Sequence, residues 1–265
     1  RTPVESVTVG EGRGVEYARY GDGDPVTVFG HGLAAGIDET RPLGSAVAGT
    51  KVFLHFRGHG GSDPPRPAGW SYRALAMDLR AVADAVAATR AVGVSMGAGA
   101  LLALLAATPD RFERCVFYLP GALDAPRTGA AVARLSALAA AVAAGDVAGI
   151  AAHLAAELPP DVRMASGVPA YLRKRARALT GTAVADALRA LPAEVPLTDT
   201  AVLRRVSAPS LVVGEAGDDI HPVEVARELA DALPDARLVV FDEPGTLWRR
   251  RGEVRRLVSE FLNAA

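Results

Sequence analysis

Apolar runs of strand length alternate with helix-period segments along most of this chain, and few folds satisfy that alternation. VESVTV and VEYARYG, split by the glycine-bearing GEGRG, read as an opening hairpin. PVTVFGHG and KVFLHFRGHGG read as buried strands ending in glycine loops. RAVGVS, RCVFYLP, PSLVVGEAGD and ARLVVFDEPG supply the later strands. Helical periodicity fills Ser71 to Thr89 and Met96 to about Ala107, and further helices begin near Pro222 and near Leu247. The pattern predicts an α/β fold with a mostly parallel sheet covered on both faces. With 265 residues, half of them hydrophobic, the chain can bury a core of that size.

One segment breaks the rhythm. From about Gly121 to Asp199 there are helical patterns and no convincing strand. AAVARLSALAAAVAAGDVAGIAAHLAAEL is alanine-rich and amphipathic, and VPAYLRKRARALTG is a shorter helix. The expected organisation is a core domain from residues 1–120 and 200–265 with a helical insertion at 121–199. The insertion lies over the strand C-termini, where open α/β sheets bind ligands.

Charge and cysteine content narrow the function classes. The formal net charge is -1, so no global basic field argues for nucleic acid. The single cysteine, Cys115, excludes an intrachain disulfide and reads as a packed thiol in a buried strand. No apolar stretch reaches transmembrane length, and RTPVESVTVG is not a secretory signal. A cytoplasmic protein without membrane association is expected, although a chain that does not begin with Met leaves a lost leader open. YLRKRARAL puts Arg173 and Arg177 on one helical face, and LWRRRGEVRR crowds arginines near the C-terminus. Solvated helix faces are expected there, with an anion clamp as the alternative.

The chemistry concentrates at GVSMGAG. Ser95 lies between Gly93 and Gly97, at the end of a strand and the start of a helix. A nucleophile elbow has that form, because a serine on a tight, strained turn needs small neighbours. The helix N-terminus beneath Ser95 places partial positive charge near a developing oxyanion. The earlier FGHGLAAG supplies a second backbone donor. The N–H of Leu33 and the N–H of Met96 are the candidate oxyanion-hole pair, with Gly32 allowing close approach and His31 ordering the loop.

HGLAAG, RGHGGSD, GVSMGAG and PSLVVGEAGDDIHP, in this order and spacing, resemble the α/β-hydrolase fold superfamily across nearly the full length of the chain. The resemblance implies an eight-stranded sheet, a cap domain between the sixth and seventh strands, and a Ser–acid–His order. It places the acid at Asp218, four residues before Pro222, in preference to Asp219. It implies a structural role for His55, where such proteins often carry aspartate.

The family's histidine follows the last strand, and the matching position here is Thr246. No histidine follows His221. A threonine hydroxyl is not a base near neutral pH, so a serine nucleophile needs its imidazole from elsewhere. His31 and His59 lie in loops and His153 lies in the insertion. His221, three residues past Asp218, is the nearest in sequence to the acid. Its expected role is packing at the start of the following helix, and the alternative is a surrogate base. The expectation is a serine hydrolase acting on an ester, thioester or similar acyl carbonyl of a small molecule, with a non-standard triad and no metal or organic cofactor. The alternatives are a catalytically impaired ligand-binding member of the fold and a lyase or cyclase that uses the same pocket.

Overall fold

The computed structural model describes residues 3–66 and 69–264. Arg1 and Thr2, which open the stretch without a leader pattern, fall outside the described residues. The strands are β1 (Val4–Val9), β2 (Arg13–Tyr20), β3 (Val26–Gly30), β4 (Thr50–Leu54), β5 (Arg90–Val94), β6 (Arg114–Tyr118), β7 (Ser210–Glu215) and β8 (Ala236–Phe241). The helices of the core are α1 (Ile37–Thr40), α2 (Tyr72–Ala85) and α3 (Met96–Ala107), then α9 (Val223–Ala232), α10 (Thr246–Arg249) and α11 (Arg251–Asn263). Between β6 and β7 lie α4 (Gly129–Ala144), α5 (Val147–Ala156), α6 (Pro160–Arg163), α7 (Val168–Leu179) and α8 (Val184–Ala190).

All eight strands join one sheet in the order β1-β2-β4-β3-β5-β6-β7-β8. β2 pairs antiparallel with β1 and β4, and the other pairs are parallel. β3 and β7 are buried along their whole length, as expected of central strands covered on both sides. Successive residues feed opposite faces. Val28, Val52 and Val212 pack with α2, α3 and α9, whereas Phe29, Phe53 and Val213 pack with α1 and α11. From β3 the chain turns outward to β4 on one side and β5 on the other. That reversal opens a crevice at the C-terminal ends of β3 and β5.

The inserted helices bury a cluster of their own, including Leu138, Ile150, Leu172 and Leu188. The alanine-rich stretch, continuous in composition, is divided into α4 and α5 at Gly145. This residue takes the left-handed conformation (φ 66°) that ends a helix, and the Asp146 side chain then caps α5 by accepting from the Gly149 N–H at 2.9 Å. Among the described residues, no helix is long and apolar enough to cross a membrane.

A buried ion pair ties the loop after β4 to α2. Arg57 Nε donates to Asp78 Oδ2 at 2.8 Å and its terminal nitrogen to Oδ1 at 2.6 Å, while the Arg57 amide also reaches Oδ2 at 3.1 Å. The remaining guanidinium donors reach the carbonyls of Gly69 and Ala74. Removing one partner strands a buried charge. An Asp78→Asn protein is therefore expected to lose about 3–5 kcal/mol in urea unfolding. An Arg57→Met, Asp78→Leu double variant should recover most of that loss.

Candidate active site

Ser95 connects β5 to α3 in one residue. Its backbone has φ 50° and ψ -106°, outside the usual regions for a side-chain-bearing residue, and its amide donates to Tyr118 O at 2.9 Å. Such strain costs on the order of 1–3 kcal/mol and persists only where the surroundings enforce it. Glycines enforce it here. A Cβ on Gly93 would lie 2.7 Å from the Gly97 region at Ala98 Cα, and one on Gly97 would lie 2.6 Å from Gly30 C. β3, β5 and α3 can therefore converge beneath Ser95, and the turn lifts its side chain toward the crevice.

The hydroxyl is met by an imidazole. Ser95 Oγ is 2.7 Å from His221 Nε2, and His221 Nδ1 is 2.7 Å from Asp218 Oδ2. The expected packing role of His221 is therefore corrected: its ring bridges the serine and the carboxylate. The sharp turn from Asp218 to Pro222 makes this reach available. Asp218 Oδ1 accepts from the amides of Ile220 (2.8 Å) and His221 (3.1 Å), which folds the loop back on the carboxylate. Arg127 donates to the Ile220 carbonyl and pins the same loop. Burial alone would raise the Asp218 pKa. The His221 ring and the two amides outweigh it and hold the carboxyl at about 2. Asp219 is exposed. With Asp218 ionised, Nδ1 of His221 carries the proton and Nε2 can accept one from Ser95.

Position 246 does different work. Thr246 is fully buried, and its hydroxyl contacts Glu215 and Tyr118. Glu215, at the end of β7, also accepts from the amides of Gly245 (2.8 Å) and Thr246 (3.0 Å). The threonine thus closes a buried polar network behind the site.

Three histidines order the loop after β3. Each accepts an amide proton at Nε2: His31 from Phe56 (3.0 Å), His59 from Ala34 (3.2 Å) and His55 from Ile37 (3.1 Å). An amide can only donate, so Nδ1 carries the proton in each ring. It reaches Gly32 O, Arg57 O and Glu16 Oε1, respectively. Burial is the main cause that keeps His31 well below the usual histidine pKa and lowers His59 to about 4. The loop-ordering role read for His31 and the structural role read for His55 agree with these contacts. His59 shares the task, signalled in the sequence only by its glycine-rich setting. Gly32 packs against Ser95, with its Cβ direction 3.5 Å from Ser95 Cβ. The Met96 amide opens α3, where a helix leaves its first N–H groups without intrahelical acceptors.

A cavity of about 550 Å³ opens in front of Ser95. The core lines it with Leu33, Leu119, Ile220, His221 and Leu247, and the inserted helices add Leu135, Glu157, Tyr171 and Arg175. Arg173 and Arg177 are exposed, as a solvated face requires. The inward residue of that helix is Arg175, which reaches Glu39 (3.2 Å) and the Ala34 carbonyl (2.8 Å). It lies on the face of α7 that carries the buried Leu172, Ala176 and Leu179. Among the described residues, no group of three or more His, Cys, Asp or Glu is arranged to hold a metal.

A search among curated proteins finds no match by sequence. Solved structures do match. The chain is similar to an esterase from Exiguobacterium antarcticum (TM-score 0.81, 18% identity, 98% of this chain and 99% of that one). It is also similar to a meta-cleavage product hydrolase from Pseudomonas fluorescens (TM-score 0.81, 17% identity, 98% and 97%). A hydrolase from Pseudomonas aeruginosa matches with TM-score 0.79 and 22% identity over 98% of each chain. At these identities the likeness shows the fold. The family model for the alpha/beta hydrolase fold matches residues 25–247, most of the chain, and the protein therefore belongs to the α/β-hydrolase fold family.

Proposed function

We propose that the protein is a serine hydrolase that cleaves an ester, thioester or related acyl bond of a small molecule. The observation that carries the proposal is the hydrogen-bonded series from Asp218 through His221 to Ser95, with Ser95 on a strained turn facing a cavity. In this reading the triad lacks the family's usual histidine at position 246 and takes its imidazole from position 221.

Ser95 Oγ attacks the acyl carbonyl as His221 Nε2 removes its proton. Asp218 holds the ring in the Nδ1–H tautomer and stabilises the imidazolium. The amides of Leu33 and Met96 receive the developing oxyanion, with the loop held by His31, His55 and His59. His221 then protonates the leaving group, and the acyl-serine forms as the carbonyl is restored. Water, deprotonated by the same ring, releases the acid and regenerates Ser95. Residues 121–199 act as a cap over a core made of 1–120 and 200–265. Leu135 and Tyr171 of that cap shape the acyl or alcohol site.

A fluorophosphonate probe followed by intact-mass measurement tests the serine. One adduct on the native protein and none on a Ser95→Ala variant are expected. A native protein that stays unlabelled would favour a ligand-binding member of the fold. His221→Gln is expected to lower kcat on a chromogenic ester by at least about 10³-fold, the scale on which serine hydrolases depend on their imidazole. Thr246→Ala should behave in the opposite way. It removes a buried hydroxyl from Glu215 and Tyr118, so it should cost about 1–3 kcal/mol of stability. Turnover should stay within about threefold, because a factor of that size corresponds to well under 1 kcal/mol in the barrier.

The Asp218 carboxyl also links stability to pH. Its pKa falls from the ordinary 3.8 to about 2, so its contribution is complete above the ordinary value and is lost as pH falls through the lower one. The contribution is about 2 kcal/mol. The penalty of Asp218→Asn in urea unfolding should be largest near neutral pH and shrink between pH 3.8 and about 2.

A further inference from the structure

Glu157 is the residue that the acyl-transfer reading leaves unused. It follows the end of α5 and lines the same cavity as Ser95 and His221. The other charged side chains on the cavity wall are engaged. Glu39 accepts from Tyr171 Oη (2.9 Å) and pairs with Arg175, which also holds the Ala34 carbonyl. Arg127 holds the Ile220 carbonyl, Asp38 faces Lys174 at 3.9 Å, and Arg251 lies over the Trp248 ring. Among the described residues, no hydrogen bond or ion pair reaches the Glu157 carboxyl.

Its position is also electrostatically unfavourable for the helix. A helix C-terminus carries partial negative charge and favours a cation, yet α5 ends at Ala156 beside a carboxylate. The residue is exposed and lines the cavity wall. Desolvation at the cavity wall raises its pKa, against the lowering influence of Arg175 and His221. Arg175, His221, Asp218 and Arg134 are near enough to be felt, but none is within pairing distance. Arg175 is already compensated by Glu39. Where Glu157 lines the cavity, an uncompensated carboxylate therefore meets the negative end of a helix.

Resting on the hydrolase reading, we propose that Glu157 is a specificity-determining subsite that binds a protonated amine borne by the substrate. An ammonium group supplies three donors and a full positive charge, which answers both the carboxylate and the helix terminus. A hydroxyl answers neither charge. The same cavity wall also carries apolar side chains, among them Leu135 from the insertion and Ile220 from the core. The fitting substrate is an acyl compound whose reactive carbonyl and ammonium group are joined by an apolar chain.

The test is a series of p-nitrophenyl aminoalkanoates of increasing chain length, each compared with the ester in which a methyl group replaces the ammonium. At the matching length, the native protein should favour the ammonium ester by about tenfold or more in kcat/KM, an increment typical of one charge-assisted contact. Glu157→Gln should abolish that ratio, and Glu157→Lys should reverse it toward esters tipped with a carboxylate. No preference at any length, or a preference that survives in Glu157→Gln, overturns the proposal.

Hydrolysis of neither series would count against the hydrolase reading, and a binding measurement then decides the subsite separately. In a Ser95→Ala background, hexylammonium should quench Trp248, which lines the cavity, at lower concentration than hexanol does. Glu157→Gln should weaken hexylammonium binding about tenfold relative to hexanol, and equal affinities before and after the change overturn the proposal.

Discussion

The site depends on three pieces of backbone passing closer than side chains permit. Gly30 on β3, Gly93 on β5 and Gly97 in the first turn of α3 meet beneath Ser95, and β3 pairs Gly30 with Gly93 in register. Their contact forces the chain to reverse at a single residue with positive φ. A side chain on Gly93 or Gly97 would push helix and sheet apart and relax the bend. The position of the hydroxyl is therefore a consequence of backbone crowding, with the strain at Ser95 held in place by the core around it.

Two polar arrangements follow the ends of β7 and β8. The turn after β7 carries Asp218 and His221 three positions apart, so acid and imidazole share one short loop anchored by its own amides. The turn after β8 carries Thr246, which closes on Glu215 and Tyr118 in the interior. The first arrangement leaves a ring nitrogen facing the cavity. The second satisfies a buried carboxylate and joins the ends of β7 and β8. Such a network rigidifies its surroundings only when every member has a partner, and Glu215 has two amides and two hydroxyls.

Much of this was legible from local pattern. The eight strand-length runs became the eight strands; the central ones, β3 and β7 above all, are continuous apolar segments because they are covered on both faces. Ser95 was legible because the glycines that permit its turn are adjacent in sequence. Asp218 was pointed to by the resemblance to the family, through its place four residues before Pro222. For His221 the local pattern favours packing over a surrogate base, and the structure places its ring against Ser95. Its distance from Asp218 is local, but its distance from Ser95 spans 126 positions and is set by how β5 and β7 flank β6 in the sheet. Arg175 was missed beside Arg173 and Arg177 for a related reason: the inward face of α7 depends on what it packs against.

The sequence by itself determined the α/β alternation, the inserted helices and the strained serine turn. Each of these follows from residues within a few positions of one another, through propensity, periodicity and the steric freedom of glycine. Only the tertiary structure decided which histidine meets the serine, what Thr246 is for, and which charged side chains face the cavity. Those outcomes depend on strand order and on helix docking, which bring together groups that no local pattern relates.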